Sequence, residues 1–221
     1  MNKIFALLFA SLFLRACDDK VKFDTPQPTL ENNLTKIPKR LRGTYVAISD
    51  STRLVIDEKR VIKWDRLSGK EPADSLVFSV NATKVIEDTP KSIQINYENG
   101  GAKLEFLEND SVFIEYSWAD TLFEISNEHI LRRYKGQYFL NFKDEENSWK
   151  VRCLSIDKDE LRFSKAMMPE DVKEVQKITA VKEIKSDSGK IIKYRLNPSK
   201  KELKSLMKNH FHETEKYRKI E

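Results

Sequence analysis

The chain has 221 residues, of which 39% are hydrophobic and 34% are charged, and its formal net charge is +5. Aromatic residues at 10% suffice to build a packed core, so this polarity indicates a large solvated surface and excludes a wholly disordered chain. Acidic and basic residues are interleaved, and only the stretch from Lys200 to Lys219 is markedly basic. Nucleic-acid binders present a face of one sign, so this distribution argues against a nucleic-acid partner.

The first 16 residues have the layout of a bacterial signal peptide. Lys3 supplies a positive charge, and the apolar run Ile4–Leu14 follows it over 11 residues. A membrane-spanning helix needs about 20 apolar residues, so the run fits the core of a cleaved signal better than a permanent span. Cleavage after residue 16 would remove Lys3 and Arg15 and lower the net charge from +5 to +3.

The apolar run ends in Leu14-Arg15-Ala16-Cys17, which resembles the lipobox of bacterial lipoproteins. In that family an aliphatic residue stands three positions before the cysteine and a small residue directly before it. The resemblance covers residues 1–17 and implies that the Cys17 sulfur receives a diacylglycerol, that cleavage follows Ala16, and that the new N-terminus is acylated. Arg15 departs from the family, which usually has a small or uncharged residue there, and whether it slows processing is left open. The alternatives are an ordinary secretory signal with a chance cysteine, or an uncleaved anchor.

The residues after the cysteine bear on the location of the protein. Asp18 and Asp19 follow Cys17 directly. An aspartate after the cysteine favours inner-membrane retention in enterobacterial lipoproteins, whereas an acidic cluster resembles a surface-export signal in Bacteroidota-type lipoproteins. The composition is more similar to the second group. We therefore expect an envelope protein held to a membrane by its lipid, with the outer membrane favoured over the inner and the choice of periplasmic or surface face left open.

Residues 17–36 are polar, contain Pro26 and Pro28, and show no periodicity. This composition is typical of a semi-extended linker. The sequence therefore predicts that residues 17–36 comprise the lipidated cysteine and a flexible tether.

From Gly43 onward apolar and polar residues alternate, as in antiparallel strands with one buried and one solvated face. The alternation is clearest in four stretches: Ile93–Tyr97, Val112–Tyr116, Tyr138–Phe142 and Ile192–Leu196. Turn-forming residues separate such stretches, at Asn99-Gly100-Gly101, Glu108-Asn109-Asp110 and Asp187-Ser188-Gly189. The sequence predicts a mainly β fold of about twelve strands in antiparallel meanders, barrel-like or sandwich-like in arrangement.

Two short helices interrupt the strands. Pro169–Val175 is predicted to form the first and Ser199–Asn209 the second, in which Ser199 and Glu202 form a capping box. Four residues of the second helix share one face at helical spacing and are predicted to pack into the core: Leu203, Leu206, Met207 and His210.

Two parts of the chain are similar to each other. Ile37–Val46 and Ile130–Phe139 share Ile, Arg, Gly and Tyr at a constant spacing of 93, and Leu54–Asp57 matches Leu154–Asp157 at a spacing of 100. A match that holds its order predicts an internal duplication. The predicted halves are a first β-meander over 37–129 and a second over 130–221 that ends in the C-terminal helix. Chance similarity between strands is the alternative.

Few residues have side chains suited to catalysis or metal binding. Cys153 is the one cysteine besides Cys17, and a lipidated Cys17 forms no disulfide, so Cys153 is predicted to be a buried lone thiol. The histidines are His129, His210 and His212, and no cysteine or carboxylate at a suitable local spacing completes a metal set with the His210-x-His212 pair. The chain has no Gly-x-Ser-x-Gly and no glycine-rich phosphate loop. The sequence predicts no catalytic, cofactor or metal site, and no enzyme.

Aromatic residues are the remaining candidates. Trp64, Tyr116, Trp118 and Trp149 are predicted to fill the core, with lining of a cavity or a partner surface as the alternative. An apolar cavity among them would favour solute binding, and a flat exposed apolar patch would favour a protein partner.

These features predict a lipid-anchored, non-enzymatic binding or interaction module of the cell envelope. An immunity or inhibitor lipoprotein is an alternative that the sequence does not separate from it. A third hypothesis is an envelope hydrolase, which requires His129 to cluster with His210 or His212 beside a carboxylate.

Overall fold

A computed structural model describes residues 20–50, 52–73, 84–89, 92–97, 99–108, 110–144 and 146–220. The predicted signal peptide and the predicted lipid-bearing Cys17 lie outside the described residues. No helix of the described part is long and apolar enough to cross a membrane.

The described residues form fifteen strands and two α-helices. The strands of the first part of the chain are β1 (Val21–Phe23), β2 (Gly43–Ala47), β3 (Arg53–Ile56), β4 (Arg60–Pro72), β5 (Lys84–Thr89), β6 (Ser92–Tyr97), β7 (Gly100–Phe106) and β8 (Ser111–Glu124). The later strands are β9 (His129–Tyr134), β10 (Gln137–Lys143), β11 (Trp149–Asp157), β12 (Glu160–Ala166), β13 (Val181–Lys185), β14 (Ile191–Leu196) and β15 (Phe211–Lys219). The helices are α1 (Val172–Val175) and α2 (Lys200–Asn209), and 3-10 turns cover Lys39–Leu41 and Pro169–Asp171.

The prediction of a mainly β fold is confirmed. The strands form an open, antiparallel-rich sheet, where the sequence left a barrel-like or sandwich-like arrangement open. Both predicted helices are present, although the first begins as the 3-10 turn at Pro169. The Ser199 hydroxyl accepts from the Glu202 N–H and the Glu202 carboxylate accepts from the Ser199 N–H, so the predicted capping box is confirmed.

The chain divides into two compact units that interleave along the sequence. The first unit takes the described residues of Met1–Asn33, Asn127–Leu154 and Phe163–Thr214, and the second takes those of Leu34–Ser126, Ser155–Arg162 and Glu215–Glu221. The change at Asn127 is close to the predicted boundary at 129/130. The units nevertheless differ from the predicted consecutive halves 37–129 and 130–221. The second unit also contains the end of β11, the start of β12 and the end of β15.

The core of the first unit lies between sheet and helices. β1 pairs in parallel with β14 and, at Phe23, with Trp149 of β11, while β9, β10 and β11 form an antiparallel meander. Helix α2 buries Leu203 and Leu206 against this sheet. The core prediction for the α2 face is therefore confirmed for Leu203 and Leu206, and Met207 packs against them partly buried.

The predicted tether is folded where the structure describes it. Val21 and Phe23 lie in the core of the first unit, and Gln27 is fully buried. Asn141 Oδ1 accepts from the Gln27 N–H at 2.6 Å, and Asn141 Nδ2 donates to the Gln27 carbonyl at 2.8 Å. The prediction of a flexible tether is wrong for Val21–Pro28, because this short stretch pairs with strands far away in the sequence and carries no periodic pattern of its own.

The two similar segments occupy equivalent places in their own hairpins. Tyr45 of β2 pairs with Leu54 of β3 in the second unit, and Tyr138 of β10 pairs with Leu154 of β11 in the first. All four side chains are buried. The similarity therefore maps onto the corresponding strand pairs β2–β3 and β10–β11, and duplication itself stays a prediction.

Candidate functional site

The second unit contains an extended antiparallel sheet in which β4, β8, β7, β6 and β5 are neighbours in that order, here called the five-strand sheet. β4 and β8 are its longest strands, with 13 and 14 residues, and they pair from Arg60↔Glu124 to Pro72↔Ser111. Side chains alternate between the faces of a strand, and directly paired residues share a face. The register therefore places each side chain of the sheet on one of two faces.

One face carries a groove with a volume of about 420 Å³. We call it the Trp64 groove. Paired rows place its polar side chains together: Asn96, Gly101 and Ser117 form one row, and Gln94, Lys103 and Glu115 form the next. Trp64, on the same face of β4, lines the groove beside these rows. The side chains that give the groove its chemistry are those of Trp64, Gln94, Asn96, Lys103, Glu115 and Ser117.

Polar contacts connect the side chains of the groove. Gln94 Nε2 donates to Asn96 Oδ1 at 3.3 Å. Lys103 and Glu115 are directly opposed across β7 and β8, and Glu115 Oε1 lies 3.6 Å from the Arg66 guanidinium. The Glu115 side chain is 38% exposed, so its ion pair with Arg66 is a solvated contact that contributes little to stability.

Glycines at the start of β7 allow the close approach of strands beside the groove. A Cβ added at Gly101 would lie 2.7 Å from the Ile95 carbonyl oxygen, and one added at Gly100 would lie 2.1 Å from the Ser117 carbonyl oxygen. Real Cβ atoms do not approach backbone oxygens so closely. Glycine at both positions is therefore required by the pairing of β7 with β6 and β8, and it leaves the row between Asn96 and Ser117 without a side chain.

The opposite face of the five-strand sheet is apolar. It exposes five large side chains, which we call the aromatic face: Leu67, Tyr97, Phe106, Tyr116 and Trp118. Leu67 pairs directly with Tyr116, and Trp118 and Tyr97 flank Gly100. Burial, and secondarily the nearby Tyr97, raises the pKa of Tyr116 above its usual value. On the same face, Ile95, Ala102, Leu104, Val112 and Ile114 form a buried cluster.

The four aromatic residues singled out in the sequence lie at three different positions in the structure. Trp64 lines the groove, Tyr116 and Trp118 lie on the aromatic face and are each 39% exposed, and Trp149 packs against the core of the first unit. The predicted core packing therefore describes Trp149, whereas Trp64 lines the groove and Tyr116 and Trp118 are exposed, as in the alternative interpretation.

Cys153 lies in the core of the first unit. It is 3% exposed, and its Sγ–H donates to Gln137 Oε1 at 2.9 Å. Burial raises the pKa of the Cys153 thiol far above its usual value. A thiolate is the reactive form of cysteine, so this environment makes Cys153 inert and confirms the prediction of a buried thiol.

Two of the three histidines meet a carboxylate in the first unit. His212 Nε2 lies 2.5 Å from Asp171 Oδ2, and His210 Nδ1 lies 3.9 Å from Asp171 Oδ1. Burial opposes ionisation of Asp171, but hydrogen bonds from the Met168 N–H and from His212 outweigh it and hold the pKa of Asp171 below its usual value. The ring of His129 instead contacts Phe142 edge-on at 5.3 Å.

This cluster has a structural role that its contacts explain. Asp171 Oδ2 caps the 3-10 turn by accepting from the Met168 N–H at 2.7 Å, and the Met167 N–H donates to the His210 carbonyl at 2.6 Å. The cluster therefore connects the turn before α1 to the junction of α2 and β15. Within the described part of the chain, no group of three or more His, Cys, Asp or Glu side chains is arranged to hold a metal ion.

Comparisons with known protein families, curated proteins and solved structures find no match for this chain.

Proposed function

We propose that the chain is a lipid-anchored binding protein of the bacterial cell envelope, in which Cys17 carries the lipid and the Trp64 groove takes a small polar ligand. The main support for the proposed binding role is the groove. Its volume of about 420 Å³ falls within the usual range for ligand pockets, and a few convergent polar groups beside an aromatic side chain are typical of such sites.

The proposed anchor and the proposed groove have complementary roles. Each acyl CH₂ buried in a bilayer contributes about 0.8 kcal/mol, and two or more chains hold a protein stably at the membrane. The outer membrane is the favoured location. Anchoring keeps the groove concentrated at the membrane surface, so ligands that enter or leave the envelope meet it there.

Metabolic labelling with palmitate tests the anchor, and the chain offers a matched control in its second cysteine. The wild type and Cys153→Ala should incorporate label and sediment with membranes, whereas Cys17→Ala should take up none and be released. Label in Cys17→Ala, or no label in the wild type, would overturn the anchor.

Native mass spectrometry tests the binding role. The full chain, extracted from its membrane in mild detergent, should carry a small adduct that Trp64→Ala loses and Trp118→Ala keeps. Trp118 is a suitable control because it lies on the opposite face of the same sheet. The binding role is wrong if no adduct is seen, or if Trp64→Ala carries the same adduct as the wild type.

A protein-binding role, such as that of an immunity or inhibitor lipoprotein, is the second candidate. The aromatic face favours it, because exposed contiguous apolar side chains mark interaction surfaces and aromatic residues dominate their energetics. This role predicts the reverse mutant pattern: Trp118→Ala would abolish cross-linking to a partner in intact cells, and Trp64→Ala would leave it unchanged. Equal cross-linking by both variants would exclude the aromatic face.

A further inference from the structure

The polar side chains of the Trp64 groove are mainly neutral groups that both donate and accept hydrogen bonds. Gln94 and Asn96 are carboxamides, and Ser117 carries a hydroxyl. A carboxamide presents two N–H donors and a carbonyl acceptor, and a hydroxyl both donates and accepts. Such a surface is complementary to a ligand whose own groups also donate and accept, as the hydroxyls of a sugar do.

The two charged side chains that line the groove have opposite signs, and Glu115 is also paired with Arg66 beside the lining. Of the described residues that line it, Lys103 and Glu115 are the charged ones, and they face each other across β7 and β8. A ligand with a net charge would be attracted by one of these side chains and repelled by the other. A neutral ligand instead accepts hydrogen bonds from the ammonium and donates them to the carboxylate, and both bonds are strengthened by the charged partner.

Trp64 supplies the apolar part of the groove. A sugar ring has polar hydroxyls around its rim and an apolar face of C–H groups, so an indole can pack against its flat face. The amides, the two side chains of opposite charge and one tryptophan point to one ligand class. We propose that the Trp64 groove binds a neutral saccharide, an inference that rests on the proposed function of the groove as the binding site.

The test uses the full chain in detergent and five probes measured by calorimetry: maltose, cellobiose, chitobiose as its N,N′-diacetyl form, the anionic sugar glucuronate, and the dipeptide Ala-Ala. At least one of the three neutral disaccharides should bind, and it should bind more tightly than glucuronate and Ala-Ala. Trp64→Ala should weaken this binding by about tenfold, which corresponds to about 1.4 kcal/mol and lies within the usual range for one aromatic contact.

Three variants keep the result interpretable. Gln94→Ala removes one exposed amide and should weaken binding several-fold without affecting folding, so it serves if Trp64→Ala does not fold. Trp64→Phe keeps a flat ring and should retain most of the affinity. Trp118→Ala, on the aromatic face, should bind as the wild type does.

The outcomes separate this inference from the proposed function. If glucuronate or Ala-Ala binds in a Trp64-dependent manner and no neutral disaccharide does, the saccharide inference is wrong and the binding role of the groove stands. If a disaccharide binds equally to the wild type, Trp64→Ala and Gln94→Ala, its site is elsewhere and the inference is overturned. If none of the five probes binds and the extracted chain carries no Trp64-dependent adduct, both are wrong.

Discussion

Replacement of Asn141 by alanine should destabilise the first unit, because this side chain is the polar connection between β10 and the segment after β1. Asn141 is fully buried. Its Oδ1 accepts from the Gln27 N–H at 2.6 Å, and its Nδ2 donates to the carbonyl oxygens of Gln27, Ile130 and Phe139 at 2.8, 3.1 and 3.1 Å. No alanine can reproduce any of these bonds.

The size of the effect follows from the groups left behind. Alanine would deprive the buried N–H and C=O of Gln27 of their bonds to Asn141. A buried polar group without a partner costs about 1–3 kcal/mol, so two of them should lower the free energy of unfolding by about 2–6 kcal/mol. Hydrogen bonding, and not packing, dominates this estimate, since few side-chain atoms are removed.

Urea unfolding followed by tryptophan fluorescence measures this loss. Trp149 packs against the core of the first unit, so a Trp64→Phe/Trp118→Phe background makes the signal specific to that unit. Asn33→Ala is the matched control. Asn33 Oδ1 accepts from Arg132 in an exposed hydrogen bond, and its loss should change the free energy of unfolding by less than about 0.5 kcal/mol.

Two results would refute this reasoning. One is a loss below about 0.5 kcal/mol for Asn141→Ala, which the cost of two unsatisfied buried groups does not allow. The other is an equal loss for Asn141→Ala and Asn33→Ala, which would show that burial does not decide the cost. Asn141→Asp keeps the acceptor for the Gln27 N–H but removes the donor and buries a charge, so it should destabilise the unit at neutral pH as well.

Three further predictions concern the first unit. Leu203→Ala should lower its free energy of unfolding by about 2–5 kcal/mol, whereas the exposed neighbour Lys204→Ala should change it by less than about 0.5 kcal/mol, both by urea titration. The Cys153 thiol should resist an aromatic disulfide reagent in the native protein and react fully in urea; rapid native labelling would contradict its burial. The pKa of Asp171 is lower in the folded state than in the unfolded state, so its stabilising effect is present above the unfolded value near 3.8 and is lost as the pH falls through the folded value. Asp171→Asn should flatten this acid limb in unfolding curves, and an unchanged limb would contradict the assignment.

The residues of the proposed binding groove were predictable from the sequence only in part. Alternation placed Gln94 and Asn96 on the polar face of one strand, and Trp64 was a candidate for lining a cavity. No local pattern indicated that β7 would pair with β6 and β8 in a register that aligns Lys103 with Glu115. Cross-strand register depends on contacts between different segments of the chain, and these residues therefore meet in one groove only in the folded protein.

The partners of two histidines were likewise not predictable from the sequence. The sequence placed His210 and His212 near each other, with no carboxylate at a suitable local spacing to complete a metal set. The structure brings Asp171 beside both, although 41 residues separate it from His212. Side-chain type and spacing thus identified the imidazoles, whereas the packing of the turn before α1 against β15 decided their partner.

The sequence by itself determined the mainly β character, the turns, the capped helix α2 and the burial of Cys153, because periodicity, capping and turn chemistry act over a few residues. The lipobox resemblance likewise depends only on residues 1–17. Tertiary structure decided that Val21–Pro28 is folded and not a tether, that Asn141 on a predicted polar face is fully buried, and that the chain forms two interleaved units. Each of these arises when a segment pairs with a distant one, and the free energy of that pairing has no signature in either segment alone.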